Sequence, residues 1–170
     1  MIHLYYGDGK GKTTAALGLA LRAIGCSKRV LIVQFLKNSR TSELNALARM
    51  PEARVLRGTA GGFVHRMTQE EKERTCEIHN RNLKAAIDAA GEASAAIIVL
   101  DEGIDAFTLE MLDRDLFIGF LKSAPKDVEI VLTGHSLPDE LIGLGDYITH
   151  MEKIKHPYDR GVMARKGIEY

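Results

Sequence analysis

One segment constrains the fold of this chain more than any other, because it joins a short apolar run to an amphipathic stretch: Gly7, Asp8, Gly9, Lys10, Gly11, Lys12, Thr13 and Thr14. Three glycines alternate within it and let successive backbone N–H groups turn inward onto one anion. Lys12 would reach the phosphates, and the hydroxyl of Thr13 would bind the accompanying magnesium at the start of the next helix. The segment therefore predicts a phosphate-binding loop, with all eight residues contacting a nucleotide and with Lys12 and Thr13 as catalytic residues.

The loop departs from the usual pattern at one position. That pattern has a glycine five residues before Gly11, where this chain has Tyr6, and Gly7 comes one residue later. The alternative is a glycine-rich turn between strand and helix that binds nothing. We favour phosphate binding because strand, loop and helix all stand where the motif requires them.

The composition bounds the class of protein. The chain has 170 residues, 45% of them apolar and 27% charged, which suits one folded domain spanning 1–170. With 23 basic and 23 acidic residues, no excess of positive charge predicts a nucleic-acid partner. The balance favours small-molecule ligands.

Cysteine usage and the chain start indicate the compartment. Cys26 and Cys76 are far apart in sequence, so neither a disulfide framework nor a zinc site is expected. The first six residues lack the basic region of a signal peptide, and no apolar run approaches the length of a membrane span. We expect a cytoplasmic protein without membrane insertion.

Apolar periodicity predicts strands alternating with helices. Strands are expected at 2–6, 29–35, 54–56, 95–100, 128–132 and 147–151, and helices after the loop, at 42–50, at 68–91, around 116–121 and from 138. In the first helix, Leu17, Ala20, Leu21 and Ile24 form the expected buried stripe, and Gly25 is the expected stop. The alternation predicts an α/β fold, an open and mostly parallel sheet with helices on both faces, followed by a polar tail at 152–170.

Two acidic residues follow the fourth predicted strand directly. Asp101 and Glu102 come at its carboxyl end, where a P-loop domain places the carboxylate that holds magnesium. The alternative is two acids that merely begin a loop. After a phosphate-binding loop, the metal interpretation is favoured: Thr13 and Asp101 bind the ion, and Glu102 either joins them or positions water.

Five segments together closely resemble the corrinoid adenosyltransferases of the P-loop type: GDGKGKTTAALGLALRA, VLIVQFLK, IIVLDE, VLTGHSLPDEL and KIKHPYDRGVMARKGIEY. That family shares the shifted glycine loop. The resemblance implies a P-loop NTPase-like (RecA-like) fold and transfer of the 5′-deoxyadenosyl group of ATP to the Co(I) of a reduced corrinoid, with release of triphosphate. It also implies magnesium or manganese, an electron-donating reductase, a homodimer, and a role in adenosylcobalamin biosynthesis or salvage.

The residues make chemical sense of this reaction. Co(I) is itself a strong nucleophile, so the protein needs no general base, and the sequence shows no evident catalytic triad. What remains is to align carbon 5′ with the cobalt and to stabilise the departing triphosphate. The family is understood to bind ATP reversed along the loop relative to ordinary NTPases.

The same resemblance places Phe63 and His65 at the lower face of the corrinoid, where family members press aromatic side chains. Relatives mostly have Trp at the position of His65, and this chain contains no Trp. A core position for Phe63 and a plain surface position for His65 are the alternatives. The chain also has His135 where the family usually has Arg, and it begins at the first strand, where longer members have an extension that helps cover the corrinoid, so a more open site is expected.

Two further assignments stay open. Lys153, Lys155, Arg160, Arg165 and Lys166 either meet phosphates or corrin side groups, or belong to a solvated tail. Asp8 contacts either the ribose or its own turn.

Two other functions compete with adenosyl transfer. An ordinary P-loop ATPase or small-molecule kinase would attack the γ-phosphate, but it would have the normally spaced glycine. A non-catalytic, nucleotide-dependent corrinoid-binding protein would retain Lys12, Thr13 and Asp101. The reaction products distinguish all three.

Overall fold

A computed structural model of the chain describes residues 1–37 and 41–170. Its six strands form one sheet in the order β3-β2-β4-β5-β1-β6, and every pairing is parallel. The strands are β1 (Ile2–Tyr6), β2 (Val30–Gln34), β3 (Ala53–Arg57), β4 (Ile97–Asp101), β5 (Glu129–Gly134) and β6 (Tyr147–His150). The helices are α1 (Lys12–Ile24), α2 (Glu43–Leu47), α3 (Gln69–Gly91), α4 (Gly103–Thr108), α5 (Arg114–Ser123) and α6 (Asp139–Ile142), with 3₁₀ turns at Val64–Arg66 and Pro157–Arg160.

The central strands are buried on both faces, as continuous apolar runs require in a parallel sheet. Every residue of β2 and β4 is buried. Leu31 and Leu100 point into a core shared with Leu83 of α3, whereas Ile32 and Val99 point into a second core shared with α1. Helices therefore cover both faces, and the predicted α/β fold class of the P-loop NTPase-like type is confirmed.

Helix α1 packs mainly through alanines, and most of the predicted stripe is confirmed: Ala20 is buried, and Leu17 and Ile24 are partly buried against the second core. Its buried residues are Ala16, Ala20 and Ala23, and Leu21 is 55% exposed, so the expectation for Leu21 is wrong. Small side chains on this face bring the helix close to the sheet. The periodicity was correct, but the buried face is rotated toward the smaller residues.

Helix α3 is the longest element, and it begins with the predicted capping box. The Thr68 hydroxyl accepts from the N–H of Glu71 at 3.2 Å, and the Glu71 carboxylate accepts from the N–H of Thr68 at 2.8 Å.

Within 1–37 and 41–170, no helix combines the length and the apolar character that crossing a membrane requires.

Helix α4 is absent from the sequence prediction. It follows Glu102, whose φ of 57° is left-handed, and no side-chain cap marks its start. Six residues are too few to display a helical period. The turn at Glu102 nevertheless sets the directions of the Glu102 side chain and of Asp105 in α4.

Candidate nucleotide and metal site

The glycines of the loop are required by its backbone conformation and by close packing. Gly7 and Gly11 have φ values of 120° and 118°. The N–H of Gly7 donates to the carbonyl of His135 at 3.0 Å, and that of Gly9 donates to the carbonyl of Met151 at 2.7 Å. A Cβ at Gly7 or Gly9 would lie 2.3 or 2.6 Å from that Met151 oxygen. These two N–H groups therefore anchor the loop, and an anion would be bound by other amides, among them those at the start of α1, which have no carbonyl one turn earlier.

The side chain of Lys12 folds back onto the loop that precedes it. Its ammonium donates to the carbonyls of Gly7 at 2.6 Å and Gly9 at 2.8 Å. Burial lowers the pKa of Lys12, while the nearby carboxylates of Asp105, Asp8 and Glu102 act in the opposite direction. The ammonium is thus held at the mouth of the loop by the carbonyl oxygens of Gly7 and Gly9.

A direct hydrogen bond joins Thr13, in the first turn of α1, to Asp101 at the end of β4. The hydroxyl of Thr13 donates to Oδ1 of Asp101 at 2.7 Å, and that of Thr133 donates to the same oxygen at 2.9 Å. Strand β5 lies between β1, which leads into the loop, and β4, which ends at Asp101. Thr133 therefore holds both acidic residues, because its oxygen also accepts from the N–H of Glu102 at 2.8 Å.

The second oxygen of Asp101 faces β2. Oδ2 accepts from the side-chain amide of Gln34 at 3.3 Å and from the ammonium of Lys37 at 2.5 Å. Asp101 has no exposed surface, so these four donors replace the water that an ionised carboxylate would otherwise need. A carboxylate so fully satisfied is held in a single orientation.

Glu102 is the more exposed and more weakly paired of the two acids. Its side chain is 31% exposed, and Oε1 lies 3.8 Å from the ammonium of Lys37. Partial burial raises the pKa of Glu102 to about 7; Lys37 opposes this shift, and the carboxylates of Asp101 and Asp105 reinforce it.

These donors fit a hard divalent cation. Mg²⁺ usually takes one or two carboxylates, completed by waters and substrate phosphates, rather than a cage made entirely of protein. In the parts of the chain that the structure describes, no group of three or more His, Cys, Asp or Glu side chains has metal-binding geometry. The carboxylate of Asp101 with the hydroxyl of Thr13 provides the smaller set, and the ammonium of Lys37 at both carboxylates shows that a cation is accommodated there.

Two adjoining cavities surround the loop. One, of about 250 Å³, is lined by residues 9–14 of the loop together with Glu102, Asp105, His135 and Glu169. The other, of about 620 Å³, shares Thr13, Thr14 and Glu102 with the first and is lined also by Lys37, Glu43 and Tyr170. A nucleotide bound along the loop would extend from one cavity into the other.

The polar tail is ordered over the loop. Glu169 lies 3.6 Å from the ammonium of Lys10, and the hydroxyl of Ser42 donates to a terminal oxygen of Tyr170 at 2.9 Å. A hydrogen bond from Arg165 lowers the pKa of Glu169 to about 2. The sequence left open whether the tail cations meet phosphates or corrin side groups or belong to a solvated tail. In the structure an acid, Glu169, lies beside the loop, and Arg165 pairs with Glu169 and Lys153 with Asp159.

Asp8 makes a contact that the sequence did not suggest. Its Oδ1 accepts from the N–H of Lys153 at 2.9 Å, and this hydrogen bond is the main cause that lowers the pKa of Asp8. Asp8 therefore fastens the loop to the chain after β6.

Phe63 and His65 form an exposed aromatic pair. Their rings stack with centroids 5.7 Å apart and an angle of 23° between planes, and Phe63 is 71% exposed. A core position for Phe63 is therefore excluded. The pair lies beyond β3, and so at the carboxyl edge of the sheet, where the loop also lies.

His135 is tied to helix α4. Its Nδ1 lies 2.8 Å from Oδ2 of Asp105, and its backbone N–H donates to Oδ1 of the same carboxylate at 2.9 Å. Asp105 thus holds the imidazole at the rim of the smaller cavity.

Sequence reasoning missed Gln34, Lys37, Thr133 and Asp105 as site residues. The first three lie at or just beyond the carboxyl ends of β2 and β5, the two neighbours of β4. Ligands of open α/β sheets bind at those ends. These residues could therefore have been recognised by their positions at the ends of strands. Recognising them would have required the order of the strands in the sheet, which the sequence pattern alone does not supply.

Comparison with known proteins gives the family. The model of the ATP:corrinoid adenosyltransferase family BtuR/CobO/CobP matches residues 1–170. The corrinoid adenosyltransferase of Escherichia coli K12 is 30% identical over 172 residues, which cover 100% of this chain and 85% of the relative. The corrinoid adenosyltransferase CobA of Salmonella typhimurium is 32% identical over 180 residues, with 100% and 85% covered, and that of Pseudomonas aeruginosa is 29% identical over 170 residues, with 98% and 82% covered. From the loop, the acidic pair at the end of β4 and these full-length similarities, we conclude that this chain belongs to the ATP:corrinoid adenosyltransferase family of transferases.

Proposed function

We propose that this chain transfers the 5′-deoxyadenosyl group of ATP to the Co(I) of a reduced corrinoid and releases triphosphate. The observation that carries the proposal is the hydrogen bond from Thr13 to Asp101, at 2.7 Å, with Thr13 in the lining of both cavities that lie along the glycine loop. Membership of a family of known reaction and a set of residues suited to binding a polyphosphate thus coincide in one chain.

The chemistry divides between substrate and protein. The electron pair of Co(I) forms the bond to carbon 5′, and the bond from carbon 5′ to oxygen breaks, with its electrons leaving on the triphosphate. Lys12 and the N–H groups at the start of α1 bind and stabilise that departing charge. The rigid attachment of Gly7 and Gly9 to neighbouring strands keeps these donors aligned and leaves little reorganisation for the reaction itself.

Thr13, Asp101 and Glu102 would hold a magnesium or manganese ion. When bound, such an ion neutralises charge on the polyphosphate. The Thr13 hydroxyl and the Asp101 carboxylate already lie within hydrogen-bonding distance of each other, and the left-handed turn at Glu102 puts a second carboxylate beside the same ammonium that contacts Asp101.

Phe63 and His65 would meet the corrinoid. An exposed aromatic pair has no packing role, so its apolar surface is available to a flat ligand. We propose further that a reductase supplies the electron that forms Co(I), that the protein acts as a homodimer, and that it works in the cytoplasm; the family resemblance supports the first two, and the cysteine usage supports the last.

The experiment is an anaerobic assay of the protein with ATP, magnesium and chemically reduced cobalamin. Loss of the Co(I) absorbance, with formation of light-sensitive adenosylcobalamin and triphosphate, is expected. Lys12→Ala should abolish the reaction, whereas Lys84→Ala, which alters an exposed lysine of α3, should not. ADP as the product would assign the chain to ordinary NTPases, and ATP binding without any alkylation would indicate a binding protein.

A further inference from the structure

The ammonium of Lys37 pairs with the two carboxylates to which the metal ion is assigned. It lies 2.5 Å from Oδ2 of Asp101 and 3.8 Å from Oε1 of Glu102. It thus contacts both carboxylates assigned to the metal. An ammonium and a divalent cation repel each other at such distances, so they do not share one carboxylate oxygen.

The other three donors to Asp101 have less freedom to leave: Thr13 has a short side chain fixed in the first turn of α1. Gln34 and Thr133 are buried within the ends of β2 and β5. Lys37 follows β2, its side chain is 17% exposed, and it lines the 620 Å³ cavity. Of the charged and neutral donors that Asp101 has, Lys37 therefore has both the space and the flexible stem to withdraw.

We propose that Lys37 is the resident counter-ion of the metal site: its ammonium neutralises Asp101 and Glu102 while the site is empty, and it is displaced into the larger cavity when a divalent cation binds. This rests on the proposed function, in which those two acids hold the metal. It also makes metal binding a competition within the chain, in which the bare ion must displace a tethered charge.

The proposal predicts a direction opposite to that of a purely structural ion pair. If Lys37 only supported the fold, its removal would loosen the acidic pair and weaken metal binding. As a competitor, its removal frees Oδ2 and raises the local negative potential, so metal binds more tightly. Since a neighbouring unit charge commonly shifts such equilibria by a factor of ten or more, we expect an increase in affinity of about tenfold.

The test is titration of the protein with Mn²⁺ alone, in which the free ion is measured by electron paramagnetic resonance. Lys37→Met is expected to bind Mn²⁺ about tenfold more tightly than the wild type, Lys37→Arg to restore wild-type affinity, and Lys84→Met, the exposed control on α3, to change nothing. Asp101→Asn is expected to lose binding in either background. Unchanged or weaker binding by Lys37→Met would overturn the inference.

The arms separate this inference from the proposed function. If the wild type binds Mn²⁺ through Asp101 and Lys37→Met binds it equally well, the counter-ion role fails while the metal site stands. If neither protein binds Mn²⁺, both fail. Should Lys37→Met not fold, Lys37→Gln, which keeps a neutral donor, takes its place, and its melting temperature should rise more with Mn²⁺ than that of the wild type.

Discussion

The hydroxyl of Thr13 donates a hydrogen bond to Oδ1 of Asp101, at 2.7 Å, although the two residues are 88 positions apart in the chain. One lies in the first turn of α1 and the other at the end of β4. This contact joins the glycine loop to the acidic pair, and the proposed catalytic and metal-binding roles of Thr13 both depend on it.

Thr13→Val should therefore reduce activity with little change in fold, because it keeps the shape of the side chain but removes the donor. Loss of a hydrogen bond to a charged group predicts a fall in kcat/KM of roughly 10- to 100-fold, measured as adenosylcobalamin formed from Co(I). Thr13→Ser retains the hydroxyl and should stay near wild type. Equal losses in both variants would contradict the assigned role.

Helix α4 leaves no room for a side chain at Gly134. A Cβ there would lie 2.5 Å from the Cβ of Ile104 and 3.2 Å from the backbone nitrogen of Asp105. Gly134→Ala should lower the free energy of unfolding by about 1–3 kcal/mol, as overpacking of a core does. Gly119→Ala, on α5 with nothing within 4 Å, should instead raise it by about 0.5–1 kcal/mol. Urea unfolding measures both, and a wild-type stability for Gly134→Ala would refute the steric argument.

The buried imidazole of His79 predicts loss of stability in acid. Its Nδ1 lies 3.1 Å from the carbonyl of Met111 and its Nε2 lies 3.3 Å from the N–H of Leu36, so the ring is neutral, donates at Nδ1 and accepts at Nε2. Burial lowers the pKa of His79 below its ordinary value of 6.5. The unfolded chain then binds the proton more readily than the folded chain does.

The contribution of His79 to stability should accordingly be complete above pH 6.5 and decline as the pH falls from 6.5 through the lowered folded-state pKa. The free energy of unfolding, measured in urea at several pH values, should fall by at most about 1.4 kcal/mol per pH unit from this group. His79→Gln should flatten that dependence, whereas His65→Gln, at an exposed ring, should leave it unchanged. An identical slope in His79→Gln would assign the acid sensitivity to other groups.

Phe63 is expected to serve the corrinoid and not the fold. Because its ring is 71% exposed, Phe63→Ala should change the free energy of unfolding by less than about 0.5 kcal/mol. It should slow adenosylation that starts from Co(II) and a reductant by about tenfold, the value of a lost aromatic contact, and slow the reaction from pre-reduced Co(I) less. His65→Trp, which enlarges the apolar surface, should accelerate the reaction from Co(II). Equal rates in all three proteins would remove the pair from the corrinoid site.

The sequence by itself determined what is encoded locally. The glycine loop between β1 and α1, the acidic pair after β4 and the capping box of α3 each occupy a few consecutive positions, and apolar periodicity placed the strands and most helices. The short helix α4 was not predicted because it has neither a cap nor a full period. Leu21 of α1 was wrongly expected to be buried because periodicity does not say how closely a helix approaches a sheet.

Only the tertiary structure decided which distant residues meet at the site. Strand order brought Thr13 and Thr133 onto the same oxygen of Asp101 and Lys37 onto the acidic pair. The tertiary structure also left Phe63 exposed. The return of the tail over the loop put Glu169, an acid, beside Lys10. The physical reason is that these contacts depend on the order in which strands pair and on long-range packing, and a local pattern of residues contains neither.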